Sequence, residues 1–388
     1  MKRLLYIICL LSAVCAGAQD KPKVSFAYDV DFEFRFDNRE FARSAFTPSM
    51  TIFGARLTPQ AGLAVTQKDG TAHRLMIGVD VMKDFGAAPV SELLAGGKTD
   101  ETASALNNLG LFREITLYYN LRRKIARTDM ELYAGIFPRR NMQGAYTQAF
   151  FSDSLKFYDN NIEGLLLKFT RKSAYFEVGC DWMGKYGTDR RERFLIFTSG
   201  EGKVLPFMSL GYAGYMLHYA NSLKVKGLVD NILVNPYARL DFGDMTPFQT
   251  LSFRVGWLQA LQRDRKMVGR FVFPFGGEFD QEIRKWNVGV HNRMFYGFDM
   301  MPYYCGHDEA GFAYGDDLYL GDPFWRVHDD GSAGAGFYDR LEVYYEPKIA
   351  DWLSVRISAL FHFHGAGYSG CQQMLGLRFN LNELLLRD

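Results

Sequence analysis

Hydrophobic and polar residues alternate along most of this chain, and the clearest stretch runs from Val24 to Phe36. Aromatic and aliphatic side chains hold the even positions, whereas Asp29, Asp31, Glu33 and Arg35 hold odd positions. A period of two places these sets on opposite faces of a β-strand. The run is longer than the about 5–6 residues of an ordinary strand and exceeds the about 9–11 that cross a bilayer. It predicts a membrane-spanning strand with an aromatic outer face.

The same alternation recurs along the chain in segments of similar length. The further runs are 53–66, 74–81, 114–119, 130–136, 175–182, 251–257, 286–296, 341–345, 355–363 and 375–381. Short turns are predicted at 68–71, 172–173, 199–202, 243–246 and 347–350, and long connections at 85–111, 139–160 and 298–336. Short turns on one rim and long loops on the other are typical of transmembrane β-barrels.

The number of strands must be even, because both chain ends of a bacterial barrel lie at the periplasmic rim. The clear runs give fourteen strands, which puts the long connection 263–283 on the rim of short turns. Adding Arg193–Thr198 and Val268–Phe275 gives sixteen and places the long loops outside. The sequence therefore predicts an all-β, antiparallel up-and-down barrel of about sixteen strands without a plug domain, with fourteen as the alternative. A secreted β-sandwich or propeller also alternates, but strand length and even spacing favour the barrel.

The first residues have the organisation of a secretory signal. Lys2 and Arg3 precede an apolar segment that ends at Ala16, and Ala16-Gly17-Ala18 is a small-x-small cleavage site. The segment is shorter than the roughly 20 residues of a membrane helix. We expect residues 1–18 to be a Sec-type signal peptide cleaved near Ala18, and residues 19–388 to form one domain in the cell outer membrane.

Composition narrows the function classes. Lys plus Arg number 45 and Asp plus Glu 44, so no net charge favours nucleic acid as a partner. Beyond the signal the cysteines are Cys180, Cys305 and Cys371, which form no CxxC pair and so indicate no zinc or redox centre. The sequence suggests no cofactor.

The inward positions of the predicted strands carry many charges. They include Asp29, Asp31, Glu33, Arg35, Arg56, Arg74, Asp80, Arg239, Asp241, Arg254, Arg293, Arg340, Glu342, Arg356 and Arg378. Unpaired charges are costly in a dry interior, and a water-filled lumen removes that cost. These residues are the candidates for lumen lining and solute selectivity, and their excess of arginine leans towards anions. The alternative is that they neutralise one another inside a closed barrel.

The chain resembles the porin-type outer-membrane barrels of Gram-negative bacteria. The signal ending Ala16-Gly17-Ala18 and the segment Gly376–Leu381 carry the resemblance, since the latter matches the terminal Gly-x-x-apolar-x-apolar signal of outer-membrane proteins. Two departures are Met374 in place of a polar residue and a continuation to Asp388. The resemblance implies a passive channel for small hydrophilic solutes in lipid and lipopolysaccharide. It also implies insertion by the outer-membrane assembly machinery and a possible homo-oligomer.

The same resemblance suggests that loop 139–160 folds into the lumen and narrows it. Its candidate constriction residues are Arg139, Arg140, Tyr146 and Asp153. The alternative is an exposed surface loop.

Three further features have weaker signals. His362 and His364 share a strand face at metal-ligand spacing, but no third ligand is evident. Cys305 and Cys371 map to the long-loop rim and are a possible disulfide. Region 298–336 is acidic, which suits calcium, but it lacks EF-hand spacing, so a solvated acidic loop is the favoured interpretation.

Contiguous enzyme motifs are lacking. Gly367-Tyr368-Ser369-Gly370 does not have the GxSxG spacing, and neither an HExxH nor a Walker sequence occurs. The sequence therefore predicts a porin-like channel that is not an enzyme. The alternative is a non-conducting barrel that acts as a receptor, adhesin or secretion and assembly scaffold. An outer-membrane hydrolase is less favoured.

Overall fold

The structure is a computed structural model that describes residues 22–41, 47, 49–86, 112–188, 191–223, 227–266, 269–304, 318–328, 334–365 and 367–382. The signal peptide predicted at 1–18, Cys305 and most acidic residues of 298–336 lie outside these ranges.

Sixteen antiparallel strands close into one ring, as the parity argument predicts. The first strand pairs with both the second and the last, and twelve residue pairs register along the closing seam. The strands are β1 Lys23–Glu40, β2 Met50–Thr66, β3 Ala72–Asp84, β4 Phe112–Ile125, β5 Thr128–Pro138, β6 Asn161–Arg171, β7 Ala174–Gly184, β8 Arg193–Leu205, β9 Met208–Tyr219, β10 Val229–Asp241, β11 Thr250–Asp264, β12 Phe275–Lys285, β13 Val288–Phe298, β14 Ala335–Tyr345, β15 Lys348–Ala350, β16 Leu353–His364 and β17 Gly367–Asn382. The short β15 lies outside the ring.

Two local predictions are wrong. The strand predicted at Val268–Phe275 is not present in its described part: over 269–274 Val272 forms only an isolated bridge with Gln262, and β12 begins at Phe275. Pro274 explains this, because proline has no N–H to donate to a ladder. The turn predicted at 199–202 lies within β8, where Gly200 lets the Tyr212 ring approach the backbone.

The outward face of the ring is apolar along its whole circumference. Phe26 on β1 is 63% exposed, Ile77 on β3 is 58% exposed and Tyr296 on β13 is 63% exposed. Such a surface is stable against hydrocarbon and unfavourable in water. It identifies the face that the lipid covers.

Helical structure is sparse in the described chain. One short helix, α1, spans Asp153–Tyr158, and 3-10 turns cover Arg139–Asn141, Gly243–Met245 and Pro323–Arg326. None of the described helices has the length and apolarity needed to span a membrane.

The core of the molecule lies inside the ring. Loop 139–160, which we call L3, and the described parts of loop 299–334, which we call L7, pack against inward side chains of the wall. Phe150, Phe151, Leu320, Phe324 and Trp325 from these loops are almost fully buried. The two loops thus give the barrel an apolar interior on the side of the long loops.

Candidate functional site

L3 crosses the lumen and is anchored to strands on opposite sides of the ring. The Arg140 guanidinium lies 2.7 Å from the Asp29 carboxylate on β1. On β7 the Glu177 carboxylate accepts the backbone N–H groups of Gln143 at 2.6 Å and Gly144 at 2.9 Å. The structure therefore shows this loop inside the barrel rather than on its surface.

L3 and L7 are joined to each other by backbone hydrogen bonds. The Ser152 N–H donates to the Leu320 carbonyl at 2.8 Å, and the Asp322 N–H donates to the Gln148 carbonyl at 2.8 Å. Between these bonds Gly321 lies so close to the Ala149 carbonyl that a Cβ atom would collide with it. The two loops form one inserted unit.

A chamber of about 550 Å³ lies between L3 and the wall formed by β1, β13, β14, β16 and β17. Its charged lining is predominantly basic, with seven Arg or Lys side chains and three carboxylates. They are Arg35, Arg139, Arg140, Lys156, Arg340, Arg356 and Arg378, with Glu33, Asp153 and Glu342. Arg35 Nε and Arg139 Nη1 are buried without a hydrogen-bond partner. This chemistry suits a small anion.

Helix α1 places one cation and one anion at the chamber. Burial lowers the pKa of Lys156, while Asp153 opposes that shift. Burial alone would raise the pKa of Asp153, but Lys156, Arg340 and Arg35 outweigh it and hold that pKa below its usual range. Arg35 also donates to the Asp153 backbone carbonyl at 2.8 Å. The helix is thus tied electrostatically to β1 and β14.

A second cavity of about 370 Å³ lies nearer the chain ends. Arg74, Arg122, Asp29 and the amides of Asn380 and Asn382 line it. Arg140 and Arg378 line both cavities, so the two spaces lie side by side below L3.

The predicted lumen residues fall into three groups in the structure. Glu33, Arg35, Arg340, Glu342, Arg356 and Arg378 line the chamber, and Asp29 and Arg74 line the second cavity. A second group is held in buried contacts and consists of Asp31, Arg56, Asp80, Arg254 and Arg293. Arg56 forms an ion pair with Asp80 at 3.2 Å, and Arg254 donates a hydrogen bond to the Asn235 side-chain oxygen at 2.5 Å. Arg293 forms an ion pair with Asp280, and Asp31 forms one with Arg378 at 2.8 Å. Arg239 pairs with Glu201 at 3.3 Å, and Asp241 lies exposed at the end of β10.

The constriction candidates of L3 act mainly as anchors. Arg139 is buried against Asp181 at 2.8 Å and Asp159 at 3.1 Å. Tyr146 packs edge-on against Phe151 with ring centroids 5.1 Å apart.

The structure gives no support to a metal site at the two histidines. Both ring nitrogens of His362 have partners, the Tyr338 hydroxyl at 2.9 Å and the Gln372 amide at 2.8 Å. Within the described ranges no group of three or more His, Cys, Asp or Glu side chains could hold a metal ion. The Sγ of Cys371 accepts the Gln373 amide at 3.2 Å, and its suggested disulfide partner Cys305 is not among the described residues.

The structure brings together one serine and one histidine that sequence reasoning did not pair. On the rim of long loops, Ser369 Oγ lies 2.9 Å from His364 Nδ1, and His364 Nε2 lies 3.1 Å from the Phe324 carbonyl. The residues belong to β17 and β16, and the carbonyl belongs to L7. A signal existed in the sequence, since His364 and Ser369 flank a tight hairpin, but five-residue spacing alone is not specific.

Comparison with known families points to an enzyme family. The model of a family described as lipid A 3'-O-deacylase-type matches residues 18–224, which include β1 to β9 and L3. No curated protein matches the chain.

Comparison with solved structures supports the fold. In-vitro folded OmpT, an outer membrane protein of Vibrio cholerae in its trimer form, has a TM-score of 0.51 at 11% identity, covering 93% of this chain and 100% of that chain. Outer-membrane expressed OmpT of Vibrio cholerae has a TM-score of 0.50 at 13% identity, covering 94% and 99%. At these identities the likeness shows an outer-membrane barrel fold and no activity.

The family match corrects one sequence expectation. The chain was expected not to be an enzyme, and that expectation is wrong because the matching family is named for a deacylase, which cleaves an acyl ester. The physical reason is that a barrel assembles reacting groups from different strands and loops. A search for contiguous motifs therefore misses them.

Proposed function

The chain belongs to the lipid A 3'-O-deacylase-type family, and from this premise we propose that it is an outer-membrane esterase. It would remove an ester-linked acyl chain from lipid A or a closely related acylated glycolipid. The family match over more than half of the chain carries the proposal, and the outer-membrane barrel fold supports it. In such barrels the long-loop rim faces the outer leaflet, where an acylated glycolipid would meet the protein.

The test is the mass of lipid A. We expect that producing the protein in a Gram-negative host without this modification lowers the lipid A mass by one acyl chain, exchanged for hydrogen. Mass spectrometry of extracted lipid A measures the change. Purified protein in detergent micelles with lipid A should release the same free fatty acid. A heat-modifiable, folded barrel that releases no fatty acid and leaves lipid A unchanged in cells would contradict the proposal.

A second function, the passage of small anions, is favoured by the basic chamber below L3. The six arginines of the chamber lining all form ion pairs with carboxylates, so the Lys156 ammonium is the cation expected to attract anions there. Because L3 crosses the lumen, we expect small conductance steps with a preference for anions.

Planar-bilayer recording in a salt gradient tests this second function. We expect Lys156→Gln to move the reversal potential towards cation preference, because it removes a chamber charge. Lys348→Gln is the matched control, since Lys348 is 82% exposed in the β15 turn. A silent folded protein, or equal shifts for the two variants, would argue against anion passage.

A further inference from the structure

Most of the charges that line the chamber are already held in ion pairs. The arginines paired in this way, at 2.7–3.5 Å from carboxylates of the wall strands, are Arg35, Arg139, Arg140, Arg340 and Arg356. Two carboxylates of the lining, Asp153 and Glu342, lie 3.4 Å and 3.5 Å from Arg340. Opposite charges at such distances largely cancel each other's attraction for a third ion. These groups therefore hold L3 against the wall and contribute little to the selection of a solute.

Two charged groups of the lining remain outside these pairs. Lys156 on α1 and Glu33 on β1 both line the chamber, and among the described residues neither has an ion-pair partner within 4.0 Å. Lys156 is exposed to the chamber although α1 lies inside the ring, and Glu33 is half-buried. A solute in the chamber thus meets one ammonium group from L3 and one carboxylate from the wall.

Arg378 adds two hydrogen-bond donors beside Glu33. Its Nε donates to Asp31 at 2.8 Å, whereas its two terminal nitrogens have no hydrogen-bond partner in the part of the chain that the structure describes. The side chain is 42% exposed. Arg378 and Glu33 are directly opposite each other across the seam between β17 and β1, so one small molecule can contact both. The wall therefore presents a donor pair and an acceptor side by side.

A solute can reach these groups from the rim where the chain ends lie. The second cavity shares Arg378 with the chamber and continues along β17 to Asn380 and Asn382, where the strand ends. In bacterial barrels this rim faces the periplasm. The chamber itself, at about 550 Å³, falls within the range of small-molecule sites. It has room for a solute of the size of an amino acid.

The chamber also offers apolar surface next to the charges. Met142 of L3 and Met374 of β17 line it, and both are half-buried. Methionine side chains are flexible and polarisable, so they adapt to apolar groups of varied shape. An aliphatic side chain could therefore be accommodated beside the polar contacts.

We propose that the chamber binds a small zwitterion, namely an amino acid with an aliphatic side chain. Its carboxylate accepts hydrogen bonds from Lys156 Nζ and the terminal nitrogens of Arg378, and its ammonium group donates to the Glu33 carboxylate. A simple anion is repelled by Glu33, and a simple cation is repelled by Lys156 and Arg378. The inference names a solute class for the second function proposed above and is independent of the esterase function.

A series of three ligands tests the proposal on the wild-type protein. Isothermal titration calorimetry of the folded barrel in nonionic detergent compares L-leucine with 4-methylpentanoate, which lacks the ammonium group, and with 3-methylbutylamine, which lacks the carboxylate. We expect leucine to bind at least about tenfold more tightly than either analogue, because each analogue loses a hydrogen bond between charged groups. Nonionic detergent is required, since a zwitterionic one would compete for the same groups.

Two substitutions locate the site. We expect Lys156→Gln and Glu33→Gln each to weaken leucine binding by at least about tenfold. Glu33→Gln should leave the affinity for 4-methylpentanoate unchanged or higher, a difference that a merely structural role would not produce. Lys348→Gln and Asp351→Asn are the matched controls, because these residues are 82% and 76% exposed in the β15 turn and should bind leucine as the wild type does. Heat-modifiability on gels shows that each variant is folded.

Each contrary outcome has a definite meaning. Absence of leucine binding overturns the proposal, and so does equal affinity for leucine and 4-methylpentanoate, which would indicate a plain anion site. Equal leucine affinities of Lys156→Gln and Lys348→Gln would place the binding outside the chamber. A protein that binds leucine but is silent in the bilayer supports this inference and contradicts only anion passage. Because the ligand series uses the wild type, it decides the question even where a variant does not fold.

Discussion

Single residues show how the loops inside the barrel are held. The Asp322 side chain accepts the Phe324 N–H at 3.2 Å and so begins the 3-10 turn of L7. Burial raises its pKa to about 6, although this backbone bond favours the ionised form. A raised pKa means that the folded protein prefers protonated Asp322. The folded state is therefore most favoured at low pH and loses this preference as the pH rises towards about 6.

Asp322→Asn should stabilise the protein at neutral pH. Asparagine keeps an oxygen that can cap Phe324 and removes the charge. Two pKa units correspond to roughly 3 kcal/mol, and the residual exposure of Asp322 reduces our expectation to about 1–2 kcal/mol. The temperature at which the folded gel band disappears should rise at pH 8 and match the wild type near pH 4. Asp351→Asn, in an exposed turn, should show neither effect. A gain that persists unchanged at pH 4 would contradict this account.

At the scale of elements, L3 is stabilised chiefly by aromatic packing. Phe150 lies edge-on to Tyr215 of β9 with ring centroids 5.4 Å apart, and Phe151 lies near the same ring at 6.4 Å. Both phenylalanines are almost completely buried. The loop therefore behaves as part of the core.

Phe151→Ala should destabilise the barrel by about 3–5 kcal/mol, as expected for truncating a buried phenylalanine. The midpoint of heat-induced loss of the folded band measures this. Leu223→Ala is the comparison, because Leu223 is a 63% exposed loop residue whose truncation should have little effect. Equal midpoints for the two variants would show that L3 is not held by this contact.

The strands were predictable from the sequence because lipid and lumen impose opposite requirements on alternate residues. β1 shows this best, since its even positions are outward and Asp31, Arg35 and Asp37 are buried inward. The β12 boundary was not predictable in the same way, because the aromatic alternation from Phe271 to Phe275 continues through Pro274. Alternation of apolar and polar residues indicates which face of a strand a residue would occupy. It does not indicate whether the residue has a backbone N–H to donate to the neighbouring strand.

The contact among Phe324, His364 and Ser369 could not be predicted, because no local sequence pattern contains it. Phe324, His364 and Ser369 come from L7, β16 and β17, and their meeting depends on the path of L7 inside the ring. The inward charges were identifiable one by one. The sequence could not show which of these charges line the chamber and which form buried ion pairs, because that depends on which strands L3 faces.

At the scale of the whole molecule, the barrel has two different interiors. L3 and L7 form an apolar layer beneath the long-loop rim, and charged cavities lie on the other side of L3. The Ser369–His364 contact on the long-loop rim and the basic chamber are therefore separate, and a change in one need not alter the other. The sixteen-strand ring supplies a rigid wall to both.

The connection between L3 and L7 has a consequence for how the sequence can diverge. The two loops recognise each other through main-chain groups, Ser152 with Leu320 and Asp322 with Gln148. Hydrogen bonds between main-chain groups do not require particular side chains at those positions. Related proteins could therefore replace most of the side chains near this junction and keep the same loop arrangement. The exception is Gly321, where any larger residue would push the two backbones apart. An alignment of related proteins should therefore show variable side chains along L3 and L7 and an invariant glycine at position 321.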